Sequence, residues 1–189
     1  ATLARLCADL GIVTDFVRAG GATTVKLRVV SQRQQLLRMD FEDDGGRDAI
    51  EKVCAAVARH LNDCEVVVVS DYAKGALGQV EEVIALARAA DKAVVVDPKG
   101  TDFSRYAGAS VITPNLREFE AVAGISADET GLAAQARRLA GELDVQAVLV
   151  TRGSAGMTLA MADGDVRHVP ADAQEVYDVT GAGDTVCGV

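Results

Sequence analysis

Two hydrophobic periodicities divide this chain. Between residues 24 and 42 apolar and polar positions alternate. Val25, Leu27 and Val29 are separated by Lys26 and Arg28, and Leu37, Met39 and Phe41 by Arg38 and Asp40. A period of two on both arms predicts an antiparallel hairpin with one apolar face, turning near Ser31-Gln32-Arg33-Gln34. A lone hairpin is marginal in water, so its face needs a body or a second copy to cover it. Arg28, Arg33 and Arg38 are expected to face solvent.

From residue 47 the period becomes helical and alternates with short apolar runs. Ile50, Val53, Cys54, Val57 and Leu61 fall on one helix face. Val66-Val67-Val68-Val69 reads as a fully buried strand. Val80, Val83, Ile84 and Ala87 mark a helix, Ala93 to Val96 a strand, and Ser110-Val111-Ile112 another. Helices are expected over about 115–123 and 128–141, and a strand over Ala147 to Val150. Thr158 to Met161 and Val166 to Val169 flank Asp163-Gly164, a good hairpin turn. Apolar strands alternating with amphipathic helices predict an α/β fold: a mainly parallel sheet with helices on both faces and an antiparallel edge. Residues 1–10 read as a helix, through Leu3, Leu6, Cys7 and Leu10, and Val13 to Val17 as a strand.

Composition narrows the classes of function. The 189 residues suit one domain, 49% hydrophobic and 25% charged, with a formal charge of −9. Acidic balance argues against a nucleic-acid or anionic-membrane partner. No apolar run approaches the roughly 20 residues that span a bilayer, and no secretory segment opens the chain. Cys7, Cys54, Cys64 and Cys187 form no C-x-x-C, and His60 and His168 are isolated, which disfavours a zinc cluster. Scattered thiols fit a reducing, cytoplasmic setting.

The polar signals gather where such sheets bind ligands, beyond the strands' carboxyl ends. Ser70-Asp71-Tyr72-Ala73-Lys74-Gly75 follows the first strand and Asp97-Pro98-Lys99-Gly100 the second. Thr113-Pro114-Asn115-Leu116-Arg117-Glu118 follows the third and Thr151-Arg152-Gly153-Ser154-Ala155-Gly156 the fourth. Lys74, Lys99 and Arg152 supply local positive charge in an acidic chain. Asn115-x-x-Glu118 is also a capping box, a role compatible with holding a hydrated Mg²⁺ through the outer face of Glu118. Asp71, Lys74, Asp97 and Lys99 read equally well as solvated loop charges.

The densest signal is Asp178-Val179-Thr180-Gly181-Ala182-Gly183-Asp184. Gly181, Ala182 and Gly183 let bare backbone N–H groups approach an anion at a helix start, and Asp184 then sits in the first turn. A carboxylate beside an anion hole can take a proton from an attacking hydroxyl during phosphoryl transfer. The plainer reading is a glycine-rich turn capping a helix. No G-x-x-x-x-G-K-[ST] occurs, which excludes a P-loop, and valine stands where a dinucleotide fingerprint needs its third glycine.

Taken together, the order of a β hairpin, Asn115-x-x-Glu118, Thr151-x-Gly153-x-x-Gly156 and Gly181-Ala182-Gly183-Asp184 resembles the ribokinase-like carbohydrate kinases. Segments such as "SDYAKGAL", "DPKGTDFSRYAGASVITPNLREFEAVAG" and "QEVYDVTGAGDTV" are similar to the bacterial heptose 7-phosphate kinases of ADP-heptose and lipopolysaccharide core synthesis. The resemblance implies ATP-dependent phosphorylation of the anomeric hydroxyl of D-glycero-β-D-manno-heptose 7-phosphate. It implies Asp184 as general base and Gly181, Ala182 and Gly183 as anion hole. Asn115 and Glu118 would organise Mg²⁺ and the nucleotide phosphates, and Thr151, Arg152, Gly153 and Gly156 would line the nucleotide side. Asp71, Lys74, Asp97 and Lys99 would lie near the sugar phosphate. Residues 22–42 would form a β lid that also makes a homodimer contact, and a fused adenylyltransferase domain occurs in some such proteins. The family's N-terminal sugar-binding Asp strand and Gly-Gly-x-x-Asn segment do not occur here, nor do its later adenine-side elements. The expectation is therefore a ribokinase-like domain over 1–189 truncated at both ends. Other readings are a kinase of a different sugar and an inactive nucleotide-binding or dimerising fragment.

Overall fold

The computed structural model describes residues 2–18, 24–31, 34–41, 47–73, 75, 77–172 and 181–188. The N-terminal helix α1 (Thr2–Asp9) forms as its spacing predicts. The hairpin follows as β1 (Val25–Ser31) and β2 (Gln34–Phe41), antiparallel. Its register sets Val25 against Phe41, Leu27 against Met39 and Val29 against Leu37, so the six apolar side chains share one face. All six remain exposed. A register shift at Val29/Val30 bulges the strands next to the turn. Residues 22, 23, 32, 33 and 42 of the expected lid lie outside the described residues.

The body is a six-stranded sheet in the order β3-β4-β5-β6-β7-β8. Its strands are β3 (Val66–Ser70), β4 (Ala93–Asp97), β5 (Val111–Ile112), β6 (Ala147–Thr151), β7 (Met157–Met161) and β8 (Val166–Val169). β3 to β6 pair in parallel, and β7 and β8 complete an antiparallel edge. Helix α2 (Arg47–His60) precedes β3, α3 (Val80–Ala89) joins β3 to β4, a 3-10 turn (Ser104–Tyr106) lies between β4 and β5, α4 (Leu116–Ala123) and α5 (Glu129–Glu142) join β5 to β6, and α6 (Ala182–Gly188) comes last. Sequential parallel strands joined through helices bring every strand's carboxyl end to one edge.

The two sheet faces differ. Pairing aligns Val67, Val69, Val94, Val96, Ile112, Val148, Val150, Thr158 and Ala160 on one face, which packs with Val83, Ile84, Phe119, Ala136 and Leu139 of the helices. On the other, Val66 and Val68 stay about half exposed. There α6 meets the sheet at its carboxyl edge, where Cys187 Sγ lies 3.0 Å from Thr113 Oγ1. The four-valine run therefore corrects the expectation of a fully buried strand. Among the described residues β3 is an edge strand, and α6 reaches its second face only at the carboxyl edge.

The expected strand at Val13 to Val17 does not form; that segment is in no sheet. A strand needs a partner edge, and its polar groups are engaged elsewhere. Asp15 Oδ2 accepts from Arg59 at 2.8 Å and lies 3.0 Å from His60 Nε2, both on α2. Those contacts hold the Asp15 carboxyl below its ordinary range, the Arg59 bond first. Among the described residues no helix is long and apolar enough to cross a membrane.

Phe119 and Val68 separate the two faces experimentally. Phe119 is fully buried, whereas Val68 is half exposed. Phe119→Ala should cost about 3–5 kcal/mol in denaturant unfolding, and Val68→Ala less than about 1 kcal/mol, because little area leaves water there. Equal losses would contradict the one-sided core.

Candidate active site

All four predicted loops, the fourth through Thr151, and the start of α6 converge on one cavity of about 400 Å³. Asp71 and Tyr72 follow β3, Asp97 ends β4 and Lys99 follows it, Thr113 and Asn115 follow β5, and Thr151 ends β6. Glu118 reaches the same space from the first turn of α4, and Gly181, Gly183 and Asp184 from α6. Lys74, Asp178 and Thr180 lie outside the described residues.

Local folding accounts for each placement. Asn115 is the N-cap of α4: its side chain accepts from the Glu118 amide at 3.0 Å, while Glu118 Oε2 accepts from the Asn115 amide at 3.2 Å. The predicted capping box is real, and it turns both side chains toward the strand ends. The other Glu118 oxygen accepts from Lys99 Nζ at 2.5 Å. The Lys99 ammonium is held above its usual range, chiefly by that bond. Gly181 has φ +79°, a left-handed value that suits glycine immediately before α6. Thr185 closes this turn by donating to the Gly181 carbonyl from both its amide and its hydroxyl, each at 2.9 Å. The first-turn amides of α6 then have no partners inside the helix, and Asp184 stands among them.

Negative charge dominates the cavity. Asp97 and Glu118 act on Lys99, and Asp184 acts on Asp97 across the same cavity. Asp97 is pushed up to about 6, first by burial, then by the Glu118 and Asp184 carboxylates, with Lys99 opposing. Cys187, one turn beyond Asp184, is also raised, mainly by burial.

Four predicted residues, Ala182 among them, sit differently from the cavity's centre. Gly153 and Gly156 line an adjoining cavity of about 320 Å³ with Thr151, Met157, Pro170, Ala182, Gly183 and Val186. Gly156 is also a packing requirement, since a Cβ there would lie 2.0 Å from the Val169 carbonyl oxygen. Arg152 turns toward α5, donating to Glu129 Oε1 at 2.6 Å and to the Ala155 carbonyl at 3.0 Å. Its Nε is buried without a hydrogen-bond partner.

Sequence reasoning missed Tyr72 and Tyr106. The Tyr72 hydroxyl lies 3.4 Å from Asp184 Oδ1, although 112 positions separate them. The Tyr106 hydroxyl donates to Asp71 Oδ2 at 2.8 Å beneath the cavity. Tyr72 was visible within the loop after β3, but its contact with Asp184 has no local signature. Tyr106 ends an ordinary 3-10 turn, with only its aromatic character to mark it.

Comparison with known proteins agrees with this geometry. The family model described as pfkB family carbohydrate kinase matches residues 1–189. The bifunctional protein HldE of Halorhodospira halophila is 51% identical over 185 residues, covering 97% of this chain and 39% of that protein. HldE of Methylococcus capsulatus is 50% identical over 190 residues, covering 100% of this chain and 40% of that protein. The chain thus spans about two fifths of the length of the curated relatives it matches. Among solved structures, the tetrameric inhibited form of phosphofructokinase-2 from Escherichia coli superposes with a TM-score of 0.74 at 17% identity, covering 99% of this chain and 64% of that one. Ribokinase from Giardia lamblia gives 0.75 at 18% identity, covering 99% and 60%. These two likenesses concern the fold, which is ribokinase-like, whereas the family match spans the whole chain: it belongs to the pfkB family of carbohydrate kinases.

Proposed function

We propose that this chain is part of a heptose 7-phosphate kinase domain, transferring the γ-phosphoryl group of ATP to the anomeric hydroxyl of D-glycero-β-D-manno-heptose 7-phosphate. The relatives named HldE support the choice of sugar. The observation that carries the chemistry is Asp184 in the first turn of α6, on the same cavity as Lys99, Asn115 and Glu118.

On this reading the Asp184 carboxylate takes the proton of the anomeric hydroxyl. The sugar oxygen forms its bond to the γ-phosphorus as the bond to the bridging oxygen breaks, and ADP leaves with that electron pair. The amides around Gly181, Ala182 and Gly183 receive charge developing on the transferred group. The adjoining cavity, lined by Gly153, Gly156, Met157 and Val186, suits the nucleotide. That leaves the β3–β4 side, with Tyr72, Asp97 and Lys99, for the acceptor.

The donor set fits a divalent cation. Three carboxylates against one lysine leave negative charge uncompensated, and Asp97 registers it. Among the described residues no three ligand side chains group closely enough to cage a metal, which suits an ion arriving with the nucleotide phosphates. Asn115 and Glu118 would hold it through water, because their side chains already serve the capping box and Lys99. Such an ion would neutralise charge on the phosphates.

We read the apolar face of the β1–β2 hairpin as the contact in a homodimer, and a cytoplasmic, bifunctional protein with a fused adenylyltransferase domain as its setting. A lid closing over the sugar would exclude water and suppress ATP hydrolysis.

An ADP-release assay on the full-length protein, comparing heptose 7-phosphate, ribose and fructose 6-phosphate, tests the central claim. Turnover is expected with the heptose phosphate alone. Asp184→Asn should retain ATP binding yet lower kcat by about 10²–10⁴-fold, the usual worth of a general base; an active Asn variant would remove Asp184 from that role. Preference for another sugar would discard the pathway.

Asp97 makes a separate prediction about stability. Its folded-state value of about 6 exceeds the ordinary 3.8, so the folded protein holds this proton more tightly than the unfolded chain. The associated stability is present in full below about 4 and is lost as pH rises through about 6. Asp97→Asn should therefore melt at a higher temperature than the parent at pH 8, with the gain vanishing near pH 4. A gain independent of pH would refute this origin. For the hairpin, Leu37→Glu with Met39→Lys should shift the sedimentation coefficient to that of a monomer, and an unchanged value would exclude pairing through this face.

A further inference from the structure

Beneath the acceptor side lies a buried polar cluster that the proposed chemistry does not use. Tyr106 is fully buried and Asp71 is 5% exposed. The Tyr106 hydroxyl donates to Asp71 Oδ2 at 2.8 Å. The same oxygen lies 3.1 Å from the Lys99 amide nitrogen and 3.1 Å from the Lys99 carbonyl oxygen. One phenol thus touches both loops of the β3–β4 side, through Asp71 in the first and the Lys99 backbone in the second. Asp71 passes the constraint on. Its Oδ1 accepts from the Ala73 amide at 2.8 Å, and Ala73 has φ +54°, a left-handed conformation that costs an alanine energy. Tyr72, between them, points its hydroxyl at Asp184.

The surroundings hold this phenol in place. Asp102 Oδ1 accepts from the Ser104 amide and hydroxyl, at 3.0 and 2.6 Å, and so fixes the turn that ends at Tyr106. The ring packs edge-on against Phe103 at 5.9 Å between centroids and lies under the Arg105 guanidinium at 5.7 Å. Arg105 also lies 3.6 Å from Asp71 and donates to the Leu77 carbonyl at 2.6 Å. Burial, ahead of the contact with Asp71, pushes the phenol up to about 12, so it stays a donor throughout the working pH range.

We infer that Tyr106 is a positioning residue for the acceptor. Its hydroxyl clamps the Asp71–Ala73 loop to the Lys99 loop, and so sets where Tyr72 and Lys99 stand relative to Asp184. Asp71, expected from the family resemblance to lie near the sugar phosphate, acts on this account as the middle of the clamp. Each of its carboxylate oxygens accepts a hydrogen bond from the protein. The assignment of these loops to the acceptor rests on the reading given under Proposed function.

Tyr106→Phe removes the hydroxyl and keeps the ring's packing. In the full-length protein it should raise KM for the acceptor sugar phosphate about tenfold while KM for ATP stays within twofold, the pattern expected of a misplaced acceptor site. Amide exchange at residues 71–73 and 97–100 should accelerate, with exchange in β6 and α5 unchanged. Asp71→Asn should show the same selective rise. The double variant should be little worse than either alone, because both changes open one clamp; if Tyr106→Phe fails to fold, Asp71→Asn taken singly carries the test. Equal rises in both KM values, or none, would overturn the inference. Should the parent turn over no sugar phosphate at all, the kinase reading fails, and the exchange experiment still decides the clamp: unchanged exchange in the two loops would refute it.

Discussion

Parallel pairing of β3 to β6 is the constraint from which the site follows. Once one face of these strands is buried against helices, a slip of one residue would turn Val67, Val69, Val94 and Val96 out to solvent. The register is therefore fixed, and with it the height at which each strand releases its loop. Ser70 pairs with Asp97, and the ladder extends one step further as the Asp71 amide donates to the Asp97 carbonyl at 3.1 Å. The Thr151 amide likewise donates to the Pro114 carbonyl at 3.0 Å. Residues from four loops thus meet at one level because hydrophobic burial set the strands, before any polar contact among them is counted.

The polar contacts then work against stability. Glu118 and Asp184 crowd the half-buried Asp97 with only Lys99 opposing, and Asp97 carries the consequence in its raised proton affinity. A protein optimised only for folding would neutralise one of these carboxylates. Functional sites commonly keep such mutual repulsion, since an incoming cation and polyphosphate relieve it. The capping box shows how a single pair of residues serves both ends. Asn115 and Glu118 satisfy the first amides of α4, and the geometry that does so leaves Glu118 facing Lys99.

How much of this was legible in the sequence depended on whether the signal was local. The hairpin with its one apolar face, the capping box and the glycine before α6 are encoded within a few residues, and each forms as read. The valine run of β3 could not reveal its half-exposed face, because four identical residues carry no alternation. Val13 to Val17 has strand-like composition, but a strand exists only where an edge accepts it, and Asp15 is drawn to α2 instead. Asp71 and Lys99 were visible as polar residues at strand ends. Tyr106, which joins them, lies 35 positions from Asp71 and depends on the fold to come near it.

That dependence separates two kinds of polar residue at a strand end. Lys99 and Glu118 bond each other across the cavity and remain open to a ligand on their outer sides; Lys99 is half exposed. Asp71 stands on the same edge and borders the same cavity, but is only 5% exposed, with an amide on one oxygen and a phenol on the other. A buried carboxylate that already holds such partners loses heavily if one is removed. Its position follows from the loop it must hold: Ala73 keeps a left-handed backbone only while something compensates, and Asp71 is what compensates. Position at the edge of a sheet thus identifies a residue as belonging to the site, and burial together with its partners decides whether it faces the ligand or braces the residues that do.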